Sequence, residues 1–387
     1  MKKEKRLILF FYNEKRFVPF PGKFFYEIDP YNPMRFGALN GYIGLSNAIN
    51  ADYMTTGYLR NIDQLKDYKV ILLIGKFYFD INLIKKIKNK YPHIFLIGQF
   101  EENIRKHKIW CRSKKFLDEF IDFANLVDVF STFHHKTLDY YSLFTNKPVV
   151  YLPHAYPVAW LKKKIEPKSK ENKAKIILKE GVIFGRPGQD GFTELLFILN
   201  NMKELLKEYK VIVTDWPNSD IKAIKFFDTI SQQRYSPIGK LGKIISHLIY
   251  KYPKVSTVKF LINKLNKNKE ILIKKRVTWF ENLHYFNNAF LSIDLDSCYT
   301  TGRNVLDSAI CNTPIIGYNS DFQLQLFPEL VVRDEIDFKM IDKHIKRLID
   351  DSNFYIKTIQ YSSDKLLQFS YENTYIYFNK LLENYRS

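Results

Sequence analysis

The chain has 387 residues, with 60 Lys and Arg against 41 Asp and Glu, a formal net charge of +19. Apolar residues make up 46% and charged residues 26%, a globular composition that excludes whole-chain disorder, and the length suits two domains with separate cores. Three cysteines without metal or redox spacing argue against a disulfide framework, and no apolar run nears the roughly 18 residues of a membrane-spanning helix, so a cytoplasmic location is expected.

Along the chain, the apolar run Arg6–Tyr12 reads as a buried strand. A Gly- and Pro-rich stretch from Phe20 to Gly37 leads to a helix over Tyr42–Ala51. Strands are expected at Lys69–Ile74, His93–Ile97, Val127–Ser131 and Pro148–Leu152. Helices at Asn82–Lys90, Phe116–Ala124 and Thr137–Phe144 alternate with them, the first ending at Tyr91-Pro92 because Pro lacks a donor and clashes with the preceding turn. The Lys-rich stretch 161–175 holds few large apolar residues and reads as an exposed linker. The alternation then restarts with strands at Gly181–Phe184, Val211–Thr214, Arg276–Trp279, Ala289–Leu295 and Thr313–Gly317. Helices are expected at Phe192–Tyr209, Glu281–Asn288 and Asn304–Cys311, and Ile341–Leu382 is mostly helical. Such alternation predicts parallel sheets covered on both faces, in two successive α/β domains.

The charge is localised. Residues 221–276 hold twelve Lys and two Arg against two acids, a net +12, and residues 161–175 carry a net +5. The other 316 residues are nearly neutral, which excludes a uniformly cationic nucleic-acid binder. Within the first segment, Pro237–Lys251 places Ile238, Leu241, Ile245, Leu248 and Ile249 near one helical face, with Lys240, Lys243 and Lys251 on another. Val258, Leu261, Ile262 and Leu265 repeat the pattern. A basic amphipathic helix reads as a membrane-surface element, against the alternative that its apolar face packs on the domain.

Two loops carry chemistry. Gly181 to Gly191 runs from a strand through Gly185-Arg186 into a helix; glycines admit close approach of a ligand, and Arg186 offers charge-assisted hydrogen bonds to a diphosphate. Asp294 to Gly317 runs strand, polar loop, helix, strand. Thr301, Gly302 and Arg303 fall at the helix start, where the dipole favours phosphate. Asp307 lies one turn later, as an acceptor for ribose hydroxyls or as a structural partner of Arg303. The pair His134-His135 follows a strand; adjacent side chains point apart, so one imidazole, here His135, is the candidate for acid–base work, against a solvated loop histidine. Gly37, Gly41 and Gly44 suit a close backbone approach or tight helix packing.

These residues resemble GT-B-fold glycosyltransferases, near the family 4 retaining and spore-maturation-type enzymes. Gly302 stands at the glycine of the family's Phe-Gly, Asp307 at its second Glu, and Cys311-Asn312-Thr313-Pro314-Ile315-Ile316 over its Cys-Gly-Thr-Pro-Val-Ile stretch. Arg303-Asn304 is similar to the spore-maturation-type branch, Phe184-Gly185-Arg186 to the family's Gly-Arg, Tyr151-Leu152-Pro153-His154-Ala155 to the strand closing the first domain, and Phe369 to Asn373 to the start of its last helix. Tyr299 replaces the first Glu, Thr301 the Phe, and Asp190 the Lys.

The resemblance implies two Rossmann-like domains facing across a cleft: residues 1–158 on the acceptor side, a basic linker at 159–176, and a nucleotide-sugar-binding domain at 177–364 with a basic helical insertion at 217–275. The final helix, 365–387, returns to the first domain. It implies a metal-independent, cofactor-free, retaining transfer from a nucleotide-sugar donor. The donor would be held by Gly185, Arg186, Tyr299, Thr301, Gly302, Arg303, Asn304 and Asp307. Arg186 would stabilise the departing diphosphate, and Glu101 or Glu102 would meet sugar or acceptor where the family has a histidine, unless they are solvated carboxylates. The expected acceptor is a lipid-linked or surface glycan, with 237–269 on the anionic inner face of the membrane. The alternatives are a glycosyltransferase acting on nucleic acid and a non-catalytic nucleotide-binding module, the latter motivated by Tyr299 and Asp190.

Overall fold

The structure, a computed structural model, describes residues 4–13, 15, 17–18, 38–75, 78–100, 114–179, 205–214, 271–274, 278–295, 303–318, 320–333 and 337–386. The chain divides into two units, Met1–Lys163 with Leu366–Ser387, and Lys164–Lys365.

In the first unit the elements are β1 (Arg6–Phe10), β2 (Phe17–Val18), α1 (Ala38–Ile49), β3 (Asp52–Thr55), β4 (Val70–Gly75), α2 (Ile81–Lys90), β5 (Phe95–Phe100), α3 (Lys114–Leu126), β6 (Val129–Thr132), α4 (Leu138–Tyr141) and β7 (Val149–Tyr151). Among the described residues the strands form one sheet in the order β2-β3-β1-β4-β5-β6-β7. All neighbours are parallel except β2, which pairs antiparallel with β3. Every residue of β4 and β5 is buried, as expected of strands covered on both faces. One face packs Leu7, Leu9, Ile71, Leu73 and Leu96 against Ile84 and Ile87 of α2 and Phe120 and Phe123 of α3. The other packs Ile8, Phe10, Leu72, Ile74 and Ile97 against Tyr42, Leu45 and Ile49 of α1.

After β7 come α5 (Val158–Lys164) and the second unit: β8 (Ala174–Lys179), β9 (Lys210–Val213), β10 (Ile271–Ile273), α6 (Trp279–Asn288), β11 (Ala289–Asp294), α7 (Arg303–Ile310), β12 (Ile315–Tyr318), α8 (Asp321–Leu326), β13 (Val331–Val332) and α9 (Phe338–Asp350). Its sheet is parallel throughout, in the order β10-β9-β8-β11-β12-β13. Two further helices, α10 (Ser352–Leu366) and α11 (Tyr371–Tyr385), end the described chain. Phe378, Leu381 and Leu382 of α11 join the core over α1. Arg6 ties the three elements together, donating to Ile49 O at 3.0 Å and to Asn379 Oδ1 at 3.2 Å, while Arg386 pairs with Glu4.

Three expectations change. The stretch 161–175 is exposed along most of its length but is more than a linker: α5 runs to Lys164, Leu161 and Lys173 are buried, and β8 opens at Ala174. The strand expected at Arg276–Trp279 is instead β10 at Ile271–Ile273, so the basic insertion ends before 271, not at 275. Trp279 opens a helix because Thr278 and Glu281 form a reciprocal cap: the Glu281 N–H donates to Thr278 Oγ1 at 3.2 Å and the Thr278 N–H to Glu281 Oε2 at 2.6 Å. The helix expected over Thr137–Phe144 is a 3₁₀ turn at His135–Thr137 followed by the single turn of α4. The expected strand at 181–184, most of the helix at 192–209 and the amphipathic segment 237–269 lie outside the described residues.

Candidate functional site

In the second unit β8, β9 and β10 step one way across the sheet, and β11, β12 and β13 step the other. The order therefore reverses between β8 and β11, and parallel α/β sheets bind ligands beyond the strand C-termini at such a point. The two strands end level, Lys179 pairing with Ile293. The chain leaves β8 toward Gly185 and Arg186, and leaves β11 toward Tyr299, Thr301 and Gly302. Those five residues, with Glu101, lie outside the described residues.

The structure brings the other three donor-side candidates together on α7. Asn304 donates from Nδ2 to Asp294 Oδ2 at 2.9 Å, pinning the helix start to the end of β11. Arg303 lies with its guanidinium 4.8 Å from the centre of the Trp279 ring. Asp307 is 2% exposed, and both its carboxylate oxygens accept from Trp279 Nε1, at 3.1 Å each. Trp279 joins this site without a binding motif of its own; Thr278-x-x-Glu281 signals only that it begins a helix.

Behind the site α6 and α7 are held at their C-termini. Lys173 Nζ donates to Asn287 O at 3.2 Å, Cys311 O at 3.1 Å and Thr313 Oγ1 at 2.8 Å; Thr313 Oγ1 in turn donates to Phe286 O at 2.6 Å. The ammonium thus caps two helix ends, where unpaired carbonyls and the dipole favour a cation. Burial pushes the Lys173 ammonium down to about 8 and the Cys311 thiol up, which makes Cys311 an inert core residue. Asn312 takes the left-handed conformation, φ 50°, at the position of the family glycine. Its N–H donates to Ala309 O at 3.1 Å and the Thr313 N–H to Ser308 O at 3.0 Å, closing the helix end.

In the first unit, His135 is exposed, its ring 4.6 Å from that of Tyr151. His134 is the buried one, its ring 4.5 Å from Phe133 and its N–H donating to Thr132 Oγ1 at 3.1 Å. At the end of β5, Gln99 is 1% exposed and among the described residues its Oε1 meets no hydrogen-bond donor. Gly41 and Gly44 lie within α1 rather than before it.

No family model matches this chain, and no curated protein matches its sequence. Among solved structures it is similar to the N-terminal domain of Candida albicans trehalose-6-phosphate phosphatase, at 13% identity and TM-score 0.63, over 99% of this chain and 97% of that one. It is similar to a UDP-forming trehalose-phosphate synthase from Burkholderia xenovorans at 9% identity and TM-score 0.61, over all of both chains. An α-glucosyltransferase in complex with UDP and a 13-mer DNA matches at 11% identity and TM-score 0.60, also over all of both. The two parallel Rossmann-like sheets, and these full-length matches, establish that the chain has the GT-B fold of glycosyltransferases.

Proposed function

We propose that the protein is a glycosyltransferase whose second unit binds the nucleotide-sugar donor. The supporting observation is that β8 and β11 are neighbours at the reversal point of one sheet, and the sequence that follows each carries glycine and arginine. Arg303 and the start of α7 would meet the diphosphate, with Arg186 added from the neighbouring loop as the leaving group gains charge. The acceptor is a lipid-linked or surface glycan, reached by a protein that adsorbs through 237–269. A nucleic-acid acceptor is the second reading. It draws on the solved α-glucosyltransferase complexes with UDP and DNA, and on the net +12 of residues 221–276.

The test is calorimetric titration with UDP, GDP and ADP, followed by a screen for hydrolysis of the matching nucleotide sugars. One diphosphate should bind, and Arg303→Ala should weaken it about tenfold, the worth of one charge-assisted contact of ~1.4 kcal/mol. Failure of all three diphosphates to bind would overturn the donor-site reading. Binding without turnover of any sugar nucleotide would support the non-catalytic alternative.

A further inference from the structure

We propose that Asp307 is a positioning residue and not a ribose ligand: it fixes Trp279, and Trp279 holds the Arg303 guanidinium for the diphosphate of a nucleoside diphosphate. The inference rests on the donor-site reading above and assigns the mechanism by which that site holds its cation.

Three observations carry it. First, Asp307 is committed: at 2% exposure, both oxygens sit 3.1 Å from the indole nitrogen of a residue 28 positions away in the chain. A ribose hydroxyl would have to reach a carboxylate that is almost wholly buried and already turned toward the indole. Second, the indole so fixed is the surface on which Arg303 lies, 4.8 Å from the ring centre. This cation–π contact settles a long, forked side chain beside the helix start and removes rotamer freedom before any ligand arrives. Third, Arg303 is the first residue of α7, the end of a helix that disfavours a cation. A cation held there against the dipole, beside helix N–H groups, makes a spot selective for anions. The Trp279 ring, fixed by the buried carboxylate one turn along, keeps it in place.

Helix ends and capping bonds secure the geometry from both sides. Trp279 opens α6, Asp307 and Arg303 lie on α7, and Lys173 clamps the far ends of the same two helices. The indole–carboxylate contact therefore sets the spacing of the near ends.

The experiment compares the nucleoside diphosphate found to bind with its nucleoside, the latter at millimolar concentration, by calorimetry. The variants are Trp279→Phe, which keeps a ring and loses the N–H, Asp307→Ala, Asp307→Asn, and the double variant Trp279→Phe/Asp307→Ala. We expect Trp279→Phe and Asp307→Ala each to weaken the diphosphate about tenfold and to change the nucleoside less than twofold. The double variant should bind no more weakly than either single one, and Asp307→Asn, whose amide oxygen still accepts from the indole, should stay within threefold of wild type. Nucleoside affinity falling in step with the diphosphate in Asp307→Asn would show a ribose contact and overturn the proposal. So would a Trp279→Phe variant that binds like wild type, or additive losses in the double variant. Should Asp307→Ala fail to fold, the Trp279→Phe and Asp307→Asn pair still decides it. A wild-type protein that binds no nucleoside diphosphate defeats the donor-site reading itself, a separate result.

Discussion

A lysine ammonium is costly to bury, yet Lys173 is 8% exposed and serves three acceptors at the ends of α6 and α7. Lys173→Met would leave two backbone carbonyls short of a donor, and should cost about 1–3 kcal/mol at pH 7. The pH dependence follows from its folded pKa of about 8, which lies below the ordinary 10.5. Between those values the unfolded chain binds more protons than the folded one, so the contribution of this group to stability rises with pH and is lost again as pH falls through 8. Denaturant unfolding of wild type and Lys173→Met at pH 7, 9 and 10.5 should show the gap between them widening. A constant or narrowing gap would show that the amine does not titrate in this window.

At the level of elements, the strands most legible in the sequence are those buried on both faces. Val70–Gly75 is a continuous apolar run, and Ala289–Ile293 is apolar but for Ser292, because neither side meets water. The strands that escaped notice carry polar residues whose partners are remote. Asp52 of β3 is buried because Tyr68 donates to it at 2.6 Å, and β8 was hidden among lysines because Lys173 is buried beside it and Lys175 pairs with Glu208 at 2.9 Å. The same applies to the site. The positions of Arg303, Asn304 and Asp307 were legible from their spacing around one helix start, whereas the commitment of Asp307 to Trp279 depends on the packing of two helices and leaves no local pattern. Helix ends were legible where a residue type is demanded by backbone geometry. At Asn312 only Gly or Asn suits a φ of 50°, so Asn312→Gly should be within a few tenths of a kcal/mol of wild type. Asn312→Val should cost about 1–2 kcal/mol, read as a lower denaturation midpoint.

Across the whole molecule, part of the charge has a place in the fold. Of the seven lysines of 161–175, Lys173 caps helices, Lys175 meets Glu208, and Lys170 donates to Ser352 Oγ at 2.9 Å. Residues 221–276 carry a net +12, the larger share of the charge. Eight lysines fall within 237–269. At about 1 kcal/mol for each one near an anionic leaflet, even a third of them would raise membrane partition more than tenfold. Flotation with phosphatidylserine-containing vesicles should therefore capture the protein, less so at high salt, and deletion of 237–269 should lower capture at least tenfold. Unchanged capture by the deletion variant would remove the membrane role from this segment, and salt-steep binding to duplex DNA in its place would favour the second reading.

The return of α11 to the first unit has a consequence for synthesis. The core over α1 includes Phe378, Leu381 and Leu382, which leave the ribosome after the whole of Lys164–Lys365. The second unit is contiguous in the chain and can complete its sheet while the ribosome is still at work. The first unit must wait, with the side of α1 that takes Phe378, Leu381 and Leu382 uncovered, until those turns of helix arrive. The order of maturation thus inverts the order of translation, and the nascent N-terminal sheet is the species that chaperones and proteases meet.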